Sequence, residues 1–261
     1  MKRIFVFALF TIGCTLAYSQ VNWVRSYDVA RAQALTANKF IVMDFWAVWC
    51  GPCKKMDSDM WETEKMAAHS DKFIFLKVDV DSNREIAMRY RASTIPKVII
   101  MDASGEALWE EIGYRSASVY MKAFEEFPNE PAPTEQITKL VKETADENTY
   151  FSMGAWYQDL VKETENVRLK RGMLNASDNF FKMVQKEAST DALAQEAEFN
   201  LILNFAYRGV YKKAMKKVDK MEEAEMKNFI MAYCYKCEGQ TEKMKEFMDK
   251  ITSKDLLAQL D

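Results

Sequence analysis

The sequence contains few residues of the kinds that bind metals or form tight turns. Its 261 residues include one histidine, His69, five cysteines, eight glycines and five prolines. A zinc site is disfavoured because histidine ligands are scarce, and the low glycine and proline content predicts few tight turns and much helix. The formal net charge of −3 gives no reason to expect nucleic-acid binding. We expect neither a metal nor another cofactor.

The chain begins with an apolar run that is too short to cross a bilayer. Residues 4–16 are mostly apolar, follow a basic start, and precede small residues at positions 17 and 19. This pattern is typical of a secretory signal peptide over residues 1–19, cleaved after Ser19. Lipid attachment at Cys14 is the alternative. We expect an exported, periplasmic or extracytoplasmic protein.

Two cysteines, Cys50 and Cys53, are separated by two residues between a predicted buried strand over 40–46 and a predicted helix. A helix N-terminus offers unpaired N–H groups and a positive dipole end, which favour a thiolate. We expect Cys50 to be the attacking thiol and Cys53, less exposed, to resolve the mixed disulfide. Pro52 suits an early helical position, and Gly51 leaves room for a substrate backbone.

The surroundings of this pair carry a family resemblance. A C-x-x-C pair alone also occurs as half of a zinc site or as an inert disulfide. The segment FWAVWCGPCK, residues 45–54, resembles the thioredoxin active site nearly residue for residue. The resemblance continues through Asp44, Lys77 and Ile95-Pro96, over roughly residues 22–127. It implies a thiol-disulfide oxidoreductase with a redox-active disulfide between the two cysteines.

Asp44 lies in the middle of the apolar strand, where burial should raise the pKa of its carboxyl. The resemblance implies that this acid lies under the disulfide and assists deprotonation of Cys53. It also implies that Lys77, on the neighbouring strand, tunes the acid. The alternative is a buried ion pair between Asp44 and Lys77 without a kinetic role.

Ile95 and Pro96 precede a predicted strand, a position where proline ordinarily weakens a sheet. The resemblance implies that Pro96 is cis and lies against the thiols, and that the backbone of Ile95 pairs with bound substrate. An ordinary strand-entry proline is the alternative. Trp46 and Trp49 are expected to shape an apolar platform around Cys50. The predicted substrate-binding residues are therefore Trp49, Gly51, Pro52, Ile95 and Pro96.

The order of elements predicts an α/β thioredoxin-like fold with a central mixed sheet flanked by helices. A helix is expected to replace the usual first strand of that fold. The predicted strands and helices are helix 22–37, strand 40–45, a helix after Cys53, strand 74–80, helix 84–90, strand 97–101, strand 106–112 and helix 116–127.

A second, all-helical domain is predicted after this fold. Residues 128–134 (PNEPAPT) form a proline-rich linker between a domain over 20–127 and a helical domain over 135–261. Thr134 and Thr149 are predicted to cap its first helices. Two segments, 195–221 and 225–251, each predict a helix pair around a glycine, and they resemble tetratricopeptide units.

The remaining cysteines form a second C-x-x-C pair inside a predicted helix. Cys234 and Cys237 share a helix face, so both thiols are expected to be buried or joined in a local disulfide. No Gly-Pro, preceding strand or acid accompanies them. His69 is expected at the surface, near a helix end.

The leading functional prediction is reduction of protein disulfides outside the cytoplasm. Gly51-Pro52 and Ile95 match reducing thioredoxins, and the residues between the cysteines strongly influence the redox balance. Disulfide-containing exported proteins are the expected substrates, and family resemblance implies a membrane thiol electron donor. The helical domain is expected to bind a protein partner or to self-associate. The alternatives are a disulfide oxidase or isomerase, and an interaction protein that uses the first domain as a platform.

Overall fold

The computed structural model of the protein describes residues 20–129, 131–222 and 224–260. The predicted signal peptide over residues 1–19, with the alternative attachment site Cys14, lies outside the described residues. Within the described ranges, no helix combines the length and the apolar character that a membrane span requires.

A five-stranded mixed sheet forms the centre of the first half of the chain. Its strands follow the order β1-β3-β2-β4-β5, with β1 and β2 parallel to β3 and with β4 antiparallel to both β2 and β5. The bounds are β1 Trp23–Val24, β2 Phe40–Trp46, β3 Phe73–Asp79, β4 Lys97–Met101 and β5 Ala107–Ile112. The central strand β2 is buried along nearly its whole length, which explains its continuous apolar run.

Helices flank this sheet, as the sequence predicts. They are α1 Tyr27–Ala37, α2 Gly51–Met56, α3 Glu64–Ala67, α4 Arg84–Arg89 and α5 Ala117–Glu126. A π-helical turn over Asp57–Trp61 continues α2, and it buries Met60 and Trp61 against the sheet. The predicted fold class of the first half is confirmed.

The prediction that a helix replaces the first strand was wrong. Trp23 and Val24 form β1 beside β3, and α1 begins only after Ser26, whose side chain accepts a hydrogen bond from the Val29 N–H. The apolar residues at 23 and 24 fit a helical period, but they also fit the open edge of β3. Pairing with β1 satisfies backbone N–H and C=O groups at that edge of β3. These groups would lack a strand partner if residues 23 and 24 were helical.

The second half is all helical. It contains α6 Thr134–Val141, α7 Glu147–Leu160, α8 Val167–Glu187, α9 Asp191–Tyr207, α10 Tyr211–Val218, α11 Glu225–Cys237, α12 Thr241–Met248 and α13 Lys254–Ala258. The two predicted helix pairs are present around Gly209 and Gly239, where φ is +76° and +72°. Glycine suits both turns because it adopts this left-handed conformation without a steric penalty. The tetratricopeptide likeness stays a prediction.

Both predicted caps of the first helices were wrong by one position or more. Pro133 occupies the cap position of α6, and Thr134 is the first helical residue. Asp146 caps α7 and accepts hydrogen bonds from the backbone N–H and the hydroxyl of Thr149, at 2.8 and 2.6 Å. A carboxylate at this position satisfies an unpaired helical N–H and also favours the dipole, so it outcompetes the threonine.

Hydrophobic packing continues across the predicted linker. Met153 and Tyr157 of α7, and Leu169 and Met173 of α8, belong to the same buried cluster as the residues of the sheet. A separate buried cluster lies among α9, α10, α11 and the segments that follow them. Helices α7 and α8 therefore pack with the sheet, and the later helices form a second core.

Polar contacts reinforce the packing of α7 and α8 on the sheet. The Tyr157 hydroxyl donates to buried Asp102 at the end of β4, and Asn179 donates to Glu106 at 2.9 Å. Arg168 of α8 forms an ion pair with buried Glu111 of β5.

Candidate active site

Cys50 and Cys53 form a disulfide at the N-terminus of α2, directly after the end of β2. Their Cα atoms lie 5.3 Å apart. Cys50 is the N-cap residue, with extended backbone, and its Sγ accepts a hydrogen bond from the Cys53 N–H at 3.2 Å. A sulfur that already faces a helical N–H is in the position where a thiolate is stabilised once the disulfide is reduced.

The prediction that Cys53 is less exposed than Cys50 was wrong for this disulfide state. Each residue is 3% exposed. The residues next to the disulfide form the accessible surface at this site. Trp49 is 68% exposed, and both Gly51 and Pro52 lie at the surface. A Cβ added at Gly51 would meet no atom within 4 Å, so the chain leaves open space beside the disulfide.

The segment before β4 contacts the disulfide from the other side. Ile95 is half-buried and packs against the cluster that contains Cys50 and Cys53, and the Ile95-Pro96 peptide bond is cis, as the resemblance implies. Pro96 is buried. The structure therefore brings the predicted Ile95 to the predicted cysteines.

The two predicted tryptophans differ in position. Trp46, the last residue of β2, packs against the disulfide cluster. Trp49 is turned to solvent, and its Nε1–H donates to Asp81 Oδ2 at 2.8 Å. Asp81 follows β3 and was not predicted as part of the site. Its hydrogen bond holds the indole of an exposed residue in a fixed orientation beside Cys50.

Asp44 and Lys77 lie opposite one another on the parallel strands β2 and β3. Both are buried, at 2% and 6% exposure. Burial raises the pKa of Asp44 to about 7, an effect that the Lys77 ammonium partly opposes and the Asp57 carboxylate adds to. The expected rise of this pKa follows from the position of Asp44 in the middle of a buried strand.

Lys77 contacts a second carboxylate that the sequence analysis missed. Its Nζ lies 3.7 Å from Asp44 Oδ2 and is in direct contact with Asp57 Oδ1. Asp57 lies four residues after Cys53, one helical turn further on. The spacing from Cys53 could have indicated that Asp57 lies near the site. An acid in a helical segment is, however, typical of a solvated helix face, so the sequence alone does not single it out.

The second cysteine pair differs from its prediction. Cys234 and Cys237 are both free, with Cys234 buried and Cys237 exposed at the end of α11. The local disulfide and the burial of both thiols were therefore wrong, because the last turn of α11 places position 237 at the surface. Burial raises the pKa of Cys234 to about 12, so its thiol is unreactive at neutral pH.

His69 lies in a short 3-10 turn over Ala68–Asp71, and its ring is half-buried against Phe73 and Phe124. The predicted surface position was therefore only partly right. In the part of the chain that the structure describes, no three His, Cys, Asp or Glu side chains are grouped so as to hold a metal ion.

A cysteine pair whose first member caps a helix can pass between disulfide and dithiol, because the helix end stabilises the attacking thiolate. The site is therefore that of a thiol-disulfide oxidoreductase.

Comparisons with known proteins agree with this class. The family model described as Thioredoxin matches residues 25–125. A thioredoxin of Alicyclobacillus acidocaldarius subsp. acidocaldarius is 36% identical over 88 residues, which are 34% of this chain and 81% of that protein. A thioredoxin of Echinococcus granulosus is 34% identical over 86 residues, covering 33% of this chain and 77% of that protein.

A solved structure of Malassezia sympodialis thioredoxin has 31% sequence identity and a TM-score of 0.35, and the match covers 41% of this chain and 90% of that one. Two relatives that are more than 30% identical match this chain over more than two thirds of their own length, so the chain belongs to the thioredoxin family. The family match ends at residue 125, so it does not include the helices from α6 onward.

Proposed function

We propose that this protein reduces disulfide bonds of exported proteins through a Cys50/Cys53 dithiol cycle. The observation that carries the proposal is the placement of Cys50 as the N-cap of α2, with its sulfur facing the Cys53 N–H. The Gly51-Pro52 pair supports the reducing direction, because the residues between the cysteines influence the relative stability of dithiol and disulfide.

The cycle has two exchange steps. The Cys50 thiolate attacks a substrate disulfide, forms a mixed disulfide and releases one substrate thiolate. The Cys53 thiolate then attacks the Cys50 sulfur, which closes the intramolecular disulfide and releases the second substrate thiolate. Two electrons pass to the substrate, whose two sulfurs take up protons. A thiol donor must then return two electrons to the disulfide.

Asp44 is proposed as the proton acceptor for Cys53. Its pKa of about 7 suits a group that both accepts and releases protons near neutral pH. Lys77 is proposed to tune this pKa, since its ammonium lies 3.7 Å from Asp44 Oδ2. A purely structural ion pair would change stability when altered but would leave the pH dependence of turnover unchanged.

Substrate is proposed to bind over the exposed surface around the disulfide. Trp49, Gly51 and Pro52 present that surface, and the half-buried Ile95 borders the sulfurs. The backbone of Ile95 is proposed to pair with an extended substrate segment as an added strand, with Pro96 fixing its position.

Insulin reduction tests the activity. With dithiothreitol as electron source, the wild-type protein should accelerate precipitation of the insulin B chain, and Cys50→Ser should not. Equal slow rates for both proteins would favour the platform alternative. The direction is tested by equilibration with glutathione. A potential near that of thioredoxin, about −270 mV, is expected, and a value at or above about −180 mV would favour an oxidase or isomerase.

Export is proposed from the sequence pattern of residues 1–19, and a membrane thiol transporter is proposed as the electron donor. Fractionation of cells that express the full chain tests the location. The processed chain should be found outside the cytoplasm, and a chain that begins at Gln20 should remain inside. If the product of the full chain stays with the membranes after alkaline extraction, lipid attachment at Cys14 would be favoured.

The helical region is proposed to recruit a protein partner that carries an acidic segment. A cleft of about 680 Å³ between α9 and α10 is lined by four lysines and two glutamates, namely Lys213, Lys216, Lys217, Lys220, Glu198 and Glu222. None of the four lysines forms an ion pair within the described residues. A glutamate-rich peptide should bind the wild type, and it should bind the Lys213→Gln/Lys217→Gln variant more weakly. Equal binding would contradict this role.

A further inference from the structure

Lys77 is shared between two carboxylates that differ in their surroundings. The Asp44 side chain is 3% exposed, and its Oδ1 has no hydrogen-bond partner in the structure. The Asp57 side chain is 23% exposed and is in direct contact with the Lys77 ammonium, which is itself buried. The cation is therefore in direct contact with the more accessible acid and forms a longer ion pair, at 3.7 Å, with the buried one.

Asp57 is held in this place by the helix that carries Cys53. The Asp57 N–H bonds to the carbonyls of Cys53 and Lys54, and the residue opens the π-helical turn over Asp57–Trp61. Such turns inside helices are frequent at functional sites. The same turn thus connects the resolving cysteine with the carboxylate that binds Lys77.

We propose that Asp57 is a positioning residue that draws the Lys77 ammonium away from Asp44, so that the Asp44 carboxyl exchanges a proton with Cys53 near neutral pH. The inference rests on the proposed role of Asp44 in the thiol cycle. It assigns to Asp57 no contact with substrate or with the reacting sulfurs.

The charges around Asp44 support this assignment. Burial is the main cause that raises the Asp44 pKa, Lys77 lowers it, Asp57 raises it, and Arg25 lowers it weakly from the segment before α1. From α5, Tyr120 faces the same carboxyl, and Asp44 contributes to the raised pKa of that phenol.

Apolar groups complete the surroundings of the acid and its partner. The residue opposite Asp44 on β4 is Val98, which carries no charge. The ring centroids of Trp23 and Trp46 lie 5.0 and 5.1 Å from Lys77 Nζ, so two aromatic faces contact the ammonium. Lys77 is the cation that lowers the Asp44 pKa most, and Asp57 is an anion that raises it.

Removing the charge of Asp57 should therefore return Lys77 to Asp44. In Asp57→Asn the ammonium has one carboxylate left, and closer pairing should lower the Asp44 pKa. The titration midpoint of the Asp44 carboxyl, followed by carbon NMR in the oxidised protein, is expected to fall by about one pH unit or more. The pH profile of insulin reduction should move to lower pH by a similar amount.

Two comparisons separate this role from general damage to the site. Asp59→Asn is the matched control, because Asp59 lies in the same turn and pairs with Lys55 and Tyr114 rather than with Lys77. It should leave the midpoint unchanged. Asp57→Glu should restore most of the wild-type midpoint, because it returns a carboxylate to the turn.

A Lys77→Met background gives a second measurement. Without the ammonium, Asp57→Asn should lower the midpoint only slightly, because just the repulsion between the two acids is lost. An unchanged Asp44 midpoint in Asp57→Asn, or an equal fall in Asp59→Asn, would overturn the inference. A fall in the Lys77→Met background as large as the fall in the presence of Lys77 would also overturn the inference. Absence of insulin reduction by the wild-type protein would instead overturn the proposed function. The NMR titration would still show whether Asp57 controls the Asp44 midpoint.

Discussion

Gly172 of α8 lies directly against the main-chain carbonyl of Leu108 in the edge strand β5. A Cβ added at Gly172 would lie 1.6 Å from the Leu108 oxygen and 2.4 Å from its carbonyl carbon. Only a residue without a side chain allows this approach, which lets the helix cover the outer edge of the sheet. An uncovered edge strand would present unpaired backbone groups to other chains.

Gly172→Ala should destabilise the protein. In a helix without such a neighbour the change gains up to about 1 kcal/mol, but here a backbone atom stands where the methyl group must go. We expect a net loss of about 1 to 3 kcal/mol, the range typical of overpacked sites. Urea unfolding at pH 7 measures it. Gly51→Ala, which meets open space, is the control for stability, and a loss of similar size there would contradict this explanation.

Tyr157→Phe should weaken the packing of α7 on the sheet. The Tyr157 hydroxyl donates to Asp102, a fully buried carboxyl whose other partners are Ser104 and the backbone N–H groups of residues 105 and 106. Loss of one hydrogen bond to a buried carboxyl is expected to cost about 1 to 3 kcal/mol in the free energy of unfolding. Tyr150→Phe, on the same helix, should cost much less. Equal costs would point to packing instead of this bond.

Asp44→Asn should stabilise the protein at neutral and higher pH. The folded-state pKa of Asp44 lies above the unfolded value, so the native state binds more protons between pH 4 and 7 and loses stability as the pH rises through that window. The shift from 3.8 to about 7 sets an upper limit of roughly 4 kcal/mol on the gain. Urea unfolding at pH 4, 6 and 8 should show a gain that grows with pH. A constant difference would contradict the raised pKa.

Cys53→Ser should hold substrate proteins covalently on Cys50. Without the resolving thiol the mixed disulfide has no intramolecular exit, so it should accumulate in the compartment where the protein works. Nonreducing electrophoresis should show adducts that dithiothreitol removes. The double variant Cys50→Ser/Cys53→Ser should show none, and adducts that persist there would have to arise from Cys237.

Iodoacetamide should label one cysteine of the oxidised, folded chain that begins at residue 20. Cys237 is exposed, whereas Cys234 is fully buried and its pKa is raised to about 12. Mass spectrometry should find one added group under native conditions and two in urea, with the first on Cys237. Labelling of both thiols at equal rates in the folded protein would show that the end of α11 opens.

Much of the fold and of the disulfide site could be predicted because the relevant signals are local. The apolar run of β2, the cysteine spacing and the Gly-Pro pair are contiguous in the sequence, and the burial of Asp44 follows from its place in that run. Gly209 and Gly239 likewise mark their turns by residue type alone.

Other features depend on what lies opposite in space. Trp23 and Val24 form a strand because β3 offers an edge, and Asp57 matters because Lys77 comes from another strand. Neither partner is near in the sequence. Gly172 looks like an unfavourable residue within a helix until the carbonyl of Leu108 is placed beside it.

The shared packing of α7 and α8 with the sheet bears on how the protein can be divided. A fragment that ends near residue 127 would uncover the faces of Leu108 and Trp109 that α8 now shields, although the family match stops close to that point. A cut in the short connection between α8 and α9 would also divide a buried cluster, because Phe181 and Val184 of α8 pack with Ala197 of α9. A soluble redox-active piece of this chain should therefore keep α7 and α8, and it should also keep α9, whose removal would expose the buried face of α8.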